Sequence, residues 1–168
     1  GASAGLAILG GKVYSAERGT VTARQALENP FDRRLTLARS PFAVSGLDKV
    51  IIDSHFSERN RPGRLVAFLA RLNRTGGAVR GIGVDEATAA LVAPNGKAIV
   101  VGRGRALVLD TAGKPETCRR GEPLTYRGLT GSWLKTGQTF DLRRWAGGGQ
   151  AVQIDVLRGT FRENPAES

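Results

Sequence analysis

Metal and redox chemistry have few side chains to draw on in this chain, which holds one histidine, His55, and one cysteine, Cys118, among 168 residues. A single cysteine excludes an internal disulfide and a cysteine-rich zinc site, and a single histidine argues against a histidine-built metal site. Neither a metal nor another cofactor is therefore expected. Cys118 lies in a polar, proline-flanked stretch, 114–123, with no histidine near it in sequence. It reads as incidental, or as the partner of a cysteine outside the chain, rather than as a nucleophile. No apolar run approaches the roughly 20 residues that a bilayer-spanning helix needs, so no membrane partner is expected. Positive charge, by contrast, is in excess: 25 Lys and Arg stand against 15 Asp and Glu, for a net charge of +10. Such a balance attracts nucleic acid, anionic surfaces or acidic substrates. The basic residues are spread in pairs such as Arg33-Arg34, Arg119-Arg120 and Arg143-Arg144, with no lysine-rich tail and no interleaved aromatics. That pattern reads as a solvated basic surface, and nucleic acid is not expected as a partner.

Length and an apolar fraction of 40% suit one domain with a sizeable core. The opening Gly1-Ala2-Ser3-Ala4-Gly5 runs into Leu6, Ala7, Ile8 and Leu9, a tight turn entering an apolar helix. Thr22–Glu28 suits a short helix stopped by Asn29-Pro30. Lys49–Asp53 is a continuous apolar run ending in aspartate, as in a buried parallel strand. Pro62 is a good first helical residue, and Leu65, Val66, Phe68, Leu69 and Leu72 mark one helix face ended by Gly76-Gly77. Strands are expected at Val79–Val84, Ala89–Ala93, Ala98–Val101 and Arg105–Asp110, with Pro94-Asn95-Gly96 as a hairpin turn. Further strands are expected at Leu124–Tyr126, Thr139–Leu142 and Ala151–Leu157, a flexible point at Gly147-Gly148-Gly149, and a frayed tail after Arg162. Alternating strand and helix followed by a mostly antiparallel part argue for an α/β fold with a mixed sheet.

Three strand ends carry reactive side chains. Gly1-x-Ser3-x-Gly5 has the nucleophile-elbow pattern, in which small residues flank a serine on a sharp turn into a helix. The helix N-terminus favours negative charge beside the serine, and the Ala4 N–H is a candidate oxyanion donor. A serine nucleophile needs a base, and His55 follows the apolar strand directly, where α/β sheets gather their sites. The base needs an orienting acid, which Glu86 or the adjacent Asp85 offers at the end of the next strand. Arg59, Arg61 and Arg64, near a helix start, carry guanidinium forks suited to carboxylates.

Taken in order, Gly-Ala-Ser-Ala-Gly, then the segment from Asp53-Ser54-His55 through Arg59, Arg61 and Arg64, then Gly81-Ile82-Gly83-Val84-Asp85-Glu86-x-Thr88-Ala89 resemble the cyanophycinase-like family of serine peptidases. The resemblance covers about residues 1–110. It implies a mostly parallel sheet with flanking helices, like class I glutamine amidotransferases with a flavodoxin-like core. It implies a triad of Ser3, His55 and Glu86, with Asp53, Arg59, Arg61 and Arg64 shaping the pocket. Ser54 stands where the family usually has glutamine, so a substrate contact there is changed. Family members hydrolyse peptides with β-linked aspartate, and cyanophycin is a poly-aspartate backbone carrying arginine.

The expected organisation is therefore a catalytic α/β half over 1–110 and a β-rich extension over 111–168. A strand before the elbow and a second oxyanion donor are expected from an N-terminal segment or companion chain of the same gene, with Gly1 exposed by self-cleavage as one route. A homodimer is a further possible arrangement. Hydrolysis of β-aspartyl or other acidic peptides through an acyl-enzyme is the leading reading. An aspartyl or isoaspartyl dipeptidase of different specificity, and a basic binding module with a decayed site, are the alternatives.

Overall fold

Val50, Ile51 and Ile52 are buried together with Asp53 and Ser54, as a strand covered on both faces requires. In the computed structural model, which describes residues 2–42, 44–75, 77–111 and 113–166, this strand lies inside a large mixed sheet. In chain order the elements are α1 (Ala4–Ala7), β1 (Lys12–Tyr14), α2 (Ala23–Glu28), β2 (Leu37–Arg39), β3 (Val50–Ser54), α3 (Pro62–Leu72), β4 (Arg80–Val84) and β5 (Thr88–Val92). Then follow β6 (Lys97–Gly102), β7 (Ala106–Asp110), β8 (Tyr126–Leu134), β9 (Thr139–Asp141), β10 (Ala146–Gly147), β11 (Gln150–Leu157) and β12 (Thr160–Pro165). Gly1 of the elbow and Gly76 of the expected helix stop lie outside the described residues.

Eight strands form one sheet in the order β12-β11-β8-β7-β4-β3-β1-β2, and four form a second, β10-β9-β6-β5. The large sheet is mostly antiparallel, which corrects the mostly parallel sheet expected: only β1 with β3 and β3 with β4 pair in parallel. Parallel neighbours need a long crossover, usually a helix. Among the described residues only the β3-α3-β4 connection uses a substantial one. The link from β4 to β7 is instead the β5–β6 hairpin, so β7 returns antiparallel to β4. From β7 onward the strands β8, β11 and β12 extend the same sheet by antiparallel pairing.

Strand alternation sends side chains to two cores. Ile51, Leu107 and Leu109 face α2 and α3 with Leu65, Phe68 and Leu69, whereas Val50, Ile52, Ala106 and Val108 face the second sheet with Val100, Phe140 and Leu142. Thr22 caps α2 by accepting from the Gln25 N–H at 3.2 Å, and Gln25 Oε1 accepts from the Thr22 N–H at 3.1 Å. Asn73 ends α3; it is buried, and its side chain donates to the Tyr126 hydroxyl at 2.9 Å, tying the helix to β8. Sequence patterns missed β1, β2, β10 and β12, and the strand expected at Leu124–Tyr126 meets β8 only at Tyr126. The expected frayed tail pairs with β11 instead, because Arg158 (φ 46°) and Gly159 (φ 79°) make a two-residue turn between paired Leu157 and Thr160. Two positive φ values suit the right-handed twist of a hairpin, and Arg-Gly is a weak signal for it. The triple glycine is likewise held in the sheet, with Gly147 of β10 paired to Phe140 of β9.

Two expectations follow from the packing. The Phe56 ring lies over Gly83 of β4, where an added Cβ would meet three ring atoms at 2.4–2.5 Å. Gly83→Ala therefore displaces a fully buried ring directly behind His55, at a cost of about 1–3 kcal/mol, whereas Gly81→Ala meets only leucine tips at 3.1–3.3 Å and costs less. Thermal unfolding of both variants checks the order. Burial pushes the Cys118 thiol up to about 11, so little of it is thiolate at pH 8. It should label with a maleimide only after denaturant is added, and fast labelling of the native chain would contradict the buried position.

Candidate active site

The ends of β3 and β4 and the start of α1 meet at one place. Ser3 is the residue before α1, with φ 50° and ψ −120°, a sparsely populated conformation, and its side chain does not cap the helix. The strain resides in Ser3 itself. A Cβ on Gly5 would meet nothing within 4 Å, so the second elbow glycine is not required by lack of room, as the sequence pattern suggested. Leu6 and Leu9 pack against the second core and hold the short α1 over the sheet. The Ala4 N–H has no partner among the described residues, and Ala4 is exposed.

His55 follows β3 directly and also has a positive φ, 49°. Its Nε2 lies 3.0 Å from Ser3 Oγ and its Nδ1 2.5 Å from Glu86 Oε1. An ionised carboxylate only accepts, so Nδ1 carries the proton that Glu86 holds, and Nε2 of the neutral ring accepts from the serine hydroxyl. The three side chains come from positions 52 and 31 residues apart. His55 is a quarter exposed and Glu86 about half, at 25% and 48% of their side-chain surface, so both remain within reach of a ligand.

Asp85, the other candidate acid, does different work. It is buried, and its carboxylate accepts from the Ser57 N–H and the Arg105 N–H, both at 2.9 Å. It thereby joins the His55 loop to the entry of β7. Glu58 adds a second tie, accepting from the Glu86 N–H at 3.1 Å. Thr88 adds a third by donating to the Glu86 carbonyl at 2.9 Å while accepting from the Gly104 N–H. The sequence reading named Asp85 only as an alternative acid and assigned no tie to Glu58 or Thr88. A carboxylate's two accepting oxygens between two loops show only once the loops are placed.

Two clefts open beside Ser3. One, of about 430 Å³, is lined by Leu6, Val84, Ala87 and Ala89 along with Ser3, His55 and Glu86. The other, of about 180 Å³, brings Ser3 and Ala4 together with Tyr14, Asp53, Ser54, Arg59, Arg61 and Arg64. Within it Arg64 is buried and doubly bonded to Asp53, Nε to Oδ2 and Nη2 to Oδ1, each at 2.7 Å. Its remaining Nη1 donates to the Val21 carbonyl at 3.3 Å, and the guanidinium sits 5.1 Å from the Tyr14 ring centroid. Arg61 donates to the Ser54 carbonyl at 2.5 Å and lies 3.4 Å from Asp53. Arg59 is exposed and makes no ion pair among the described residues. Of the three guanidiniums expected to grip an acidic ligand, Arg64 is thus engaged inward, Arg61 is shared, and Arg59 is free. No group of three His, Cys, Asp or Glu side chains that could hold a metal ion occurs among the described residues.

Breaking the Asp53–Arg64 pair from one side leaves a buried charge without a partner. Asp53→Ala should therefore cost about 3–5 kcal/mol. By contrast Glu28→Ala, which breaks the exposed Arg24–Glu28 pair (85% and 57% exposed), should cost under about 1 kcal/mol. Urea unfolding of the two variants checks this, and equal losses would remove the clamp from the account.

No family model matches the chain. Among curated proteins it is similar to the cyanophycinase of Trichormus variabilis and to the cyanophycinase of a Nostoc species, each 36% identical over 101 residues. The match covers 57% of this chain and 32% of either relative, so the chain spans about a third of the length of the curated relatives it matches. Both similarities support a cyanophycinase-like relationship for more than half of the chain.

Proposed function

We propose that this chain carries the reaction centre of a serine-type hydrolase acting on peptides with an acidic, β-aspartyl-like residue at the scissile bond. The observation that carries the reading is the linear hydrogen-bonded chain Ser3–His55–Glu86, with the serine held in its strained turn ahead of α1. The similarity to two cyanophycinases supports the same class. In this reading the β1-β3-β4 portion with α3 corresponds to part of a class I glutamine amidotransferase-like core.

The steps follow from the donors and acceptors present. Ser3 Oγ attacks the carbonyl carbon of the scissile bond as its proton passes to His55 Nε2. Glu86 holds the Nδ1–H, fixes the tautomer and stabilises the imidazolium. Negative charge develops on the former carbonyl oxygen, and the Ala4 N–H, without a partner among the described residues, is the donor assigned to it in this reading. The imidazolium returns the proton to the leaving amine, leaving an ester on Ser3. Water then attacks that ester, giving its proton to His55, and the imidazolium passes that proton to Ser3 Oγ as the ester bond breaks, releasing the acid product and restoring the serine hydroxyl. Arg59 and Arg61 supply the positive charge that would hold a substrate carboxylate in the smaller cleft.

Ser3→Ala should lower hydrolysis of a β-aspartyl dipeptide by more than about a thousandfold, with Glu86→Gln lowering kcat strongly at little change in folding. A fluorophosphonate should label Ser3 and no other residue. Arg59→Ala should raise KM for β-aspartyl peptides and leave neutral dipeptides unaffected. Undiminished hydrolysis by Ser3→Ala would overturn the reading.

A further inference from the structure

The arginines that look scattered in sequence converge at a second cleft. It is about 330 Å³ and is lined by Glu17, Arg18, Phe31, Asp32, Arg33 and Leu35, with Arg71 and Arg120. Arg61, next to the Ser3 cleft, precedes the first turn of α3, and Arg71 belongs to its last. The helix has 11 residues, so the two places are roughly 16 Å apart along it.

Charge in this second cleft is unbalanced. Asp32 is already engaged: Arg34 donates to it through Nε at 2.9 Å and Nη2 at 2.7 Å. The Arg34 guanidinium holds its carboxyl down to about 2. Glu17 is then the one other acid against Arg18, Arg33, Arg71 and Arg120, and none of these four makes an ion pair among the described residues. Arg74 adds a further positive charge, since both it and Arg71 lie over the Phe31 ring, at 5.4 and 4.7 Å from its centroid.

Arg71 is also fixed in place. Its Nη1 donates to the Leu35 carbonyl at 2.6 Å while the ring of Phe31 supports the guanidinium plane. Burial first, and then the like charges of Arg120 and Arg74, push it below its ordinary value. A guanidinium that is oriented, partly desolvated and surrounded by like charges gains when an anion supplies the missing countercharge. Its fork has donors to spare once Nη1 is used.

We propose that this cleft, lined by Arg18, Arg33, Arg71 and Arg120, is a binding site for a small multivalent oxyanion, separate from the Ser3 site. The shared chemistry is two or more anionic oxygens on one small ligand, as on a phosphate ester or on the carboxylates of an acidic peptide. The site is independent of whether Ser3 acts as a nucleophile.

The test uses the full chain with inorganic pyrophosphate and citrate as probes, by calorimetry and thermal unfolding, with sodium chloride at matched ionic strength as control. Saturable binding and a raised thermal midpoint are expected with the probes and not with chloride. The exposed pair Arg33→Gln/Arg120→Gln should weaken probe binding at least about tenfold, since each charged hydrogen bond contributes that order. Arg144→Gln/Arg158→Gln, equal in charge but elsewhere on the surface, should leave it unchanged. A tighter grip on pyrophosphate points to a phosphate source, and a tighter grip on citrate to a carboxylate one. Absence of saturable binding, or equal weakening by the two double variants, would overturn the site.

Discussion

Where β3 ends, the chain must turn out of the sheet, cross its edge and enter α3 without losing the position of His55. Asp53 makes that possible. Its carboxylate takes both forks of Arg64 from the first turn of α3, receives the Ser54 N–H at 2.9 Å, and lies within 3.4 Å of Arg61. An aspartate at a buried strand end would be costly alone, and so would the guanidinium facing it. Paired, they lock the strand end to the helix start, and Arg64 extends the lock through the Val21 carbonyl to the segment before α2. Phe56 then drops into the core against Gly83 and Trp133, which leaves His55 on the outer side of the loop.

Backbone strain gathers around the same point. Ser3, Ala16, His55 and Ala87 each have φ near 50° and each borders one of the two clefts beside Ser3. Left-handed backbone costs about 1–2 kcal/mol at a residue with a Cβ, and it persists only where the surroundings over-determine it. Here the over-determination is visible: Asp85 and Glu58 cross-link the His55 and Glu86 loops through backbone N–H groups. Carboxylates that a motif search would read as further acids serve instead to hold the one that faces the ring.

The same positive charge plays two structural parts. Near Ser3 part of it is neutralised internally, since Asp53 pairs with Arg64 and is shared with Arg61, while Arg59 is left without an ion pair among the described residues. At the far end of α3 the guanidiniums have no such partners, and stacking on Phe31 replaces ion pairing. Net charge alone does not distinguish these environments, because a count of residues carries no information on which acids are already engaged.

The elements that local pattern can specify were legible: β3 from its unbroken apolar run, α2 from its Asn29-Pro30 stop, α3 from Pro62 and the spacing of Leu65, Phe68 and Leu69, and the β5–β6 hairpin from Pro-Asn-Gly. The sequence pattern singled out Ser3, His55 and Glu86, and the fold brings these three side chains within hydrogen-bond distance of one another in a chain. Strand direction was not. Whether a strand runs parallel to its neighbour depends on where the intervening chain travels, and a hairpin in place of a helix between β4 and β7 reversed the rest of the sheet. Short strands such as β1 and β2 escaped because three residues give too little periodicity, and the β11–β12 hairpin because Arg-Gly seldom marks such a turn. The residue types able to form a serine–histidine–acid chain were set by the sequence itself. Which acid faces the ring, which arginine is locked inside and which remain unpaired were decided only by the tertiary structure, because hydrogen-bond capacity is shared among residues distant in sequence.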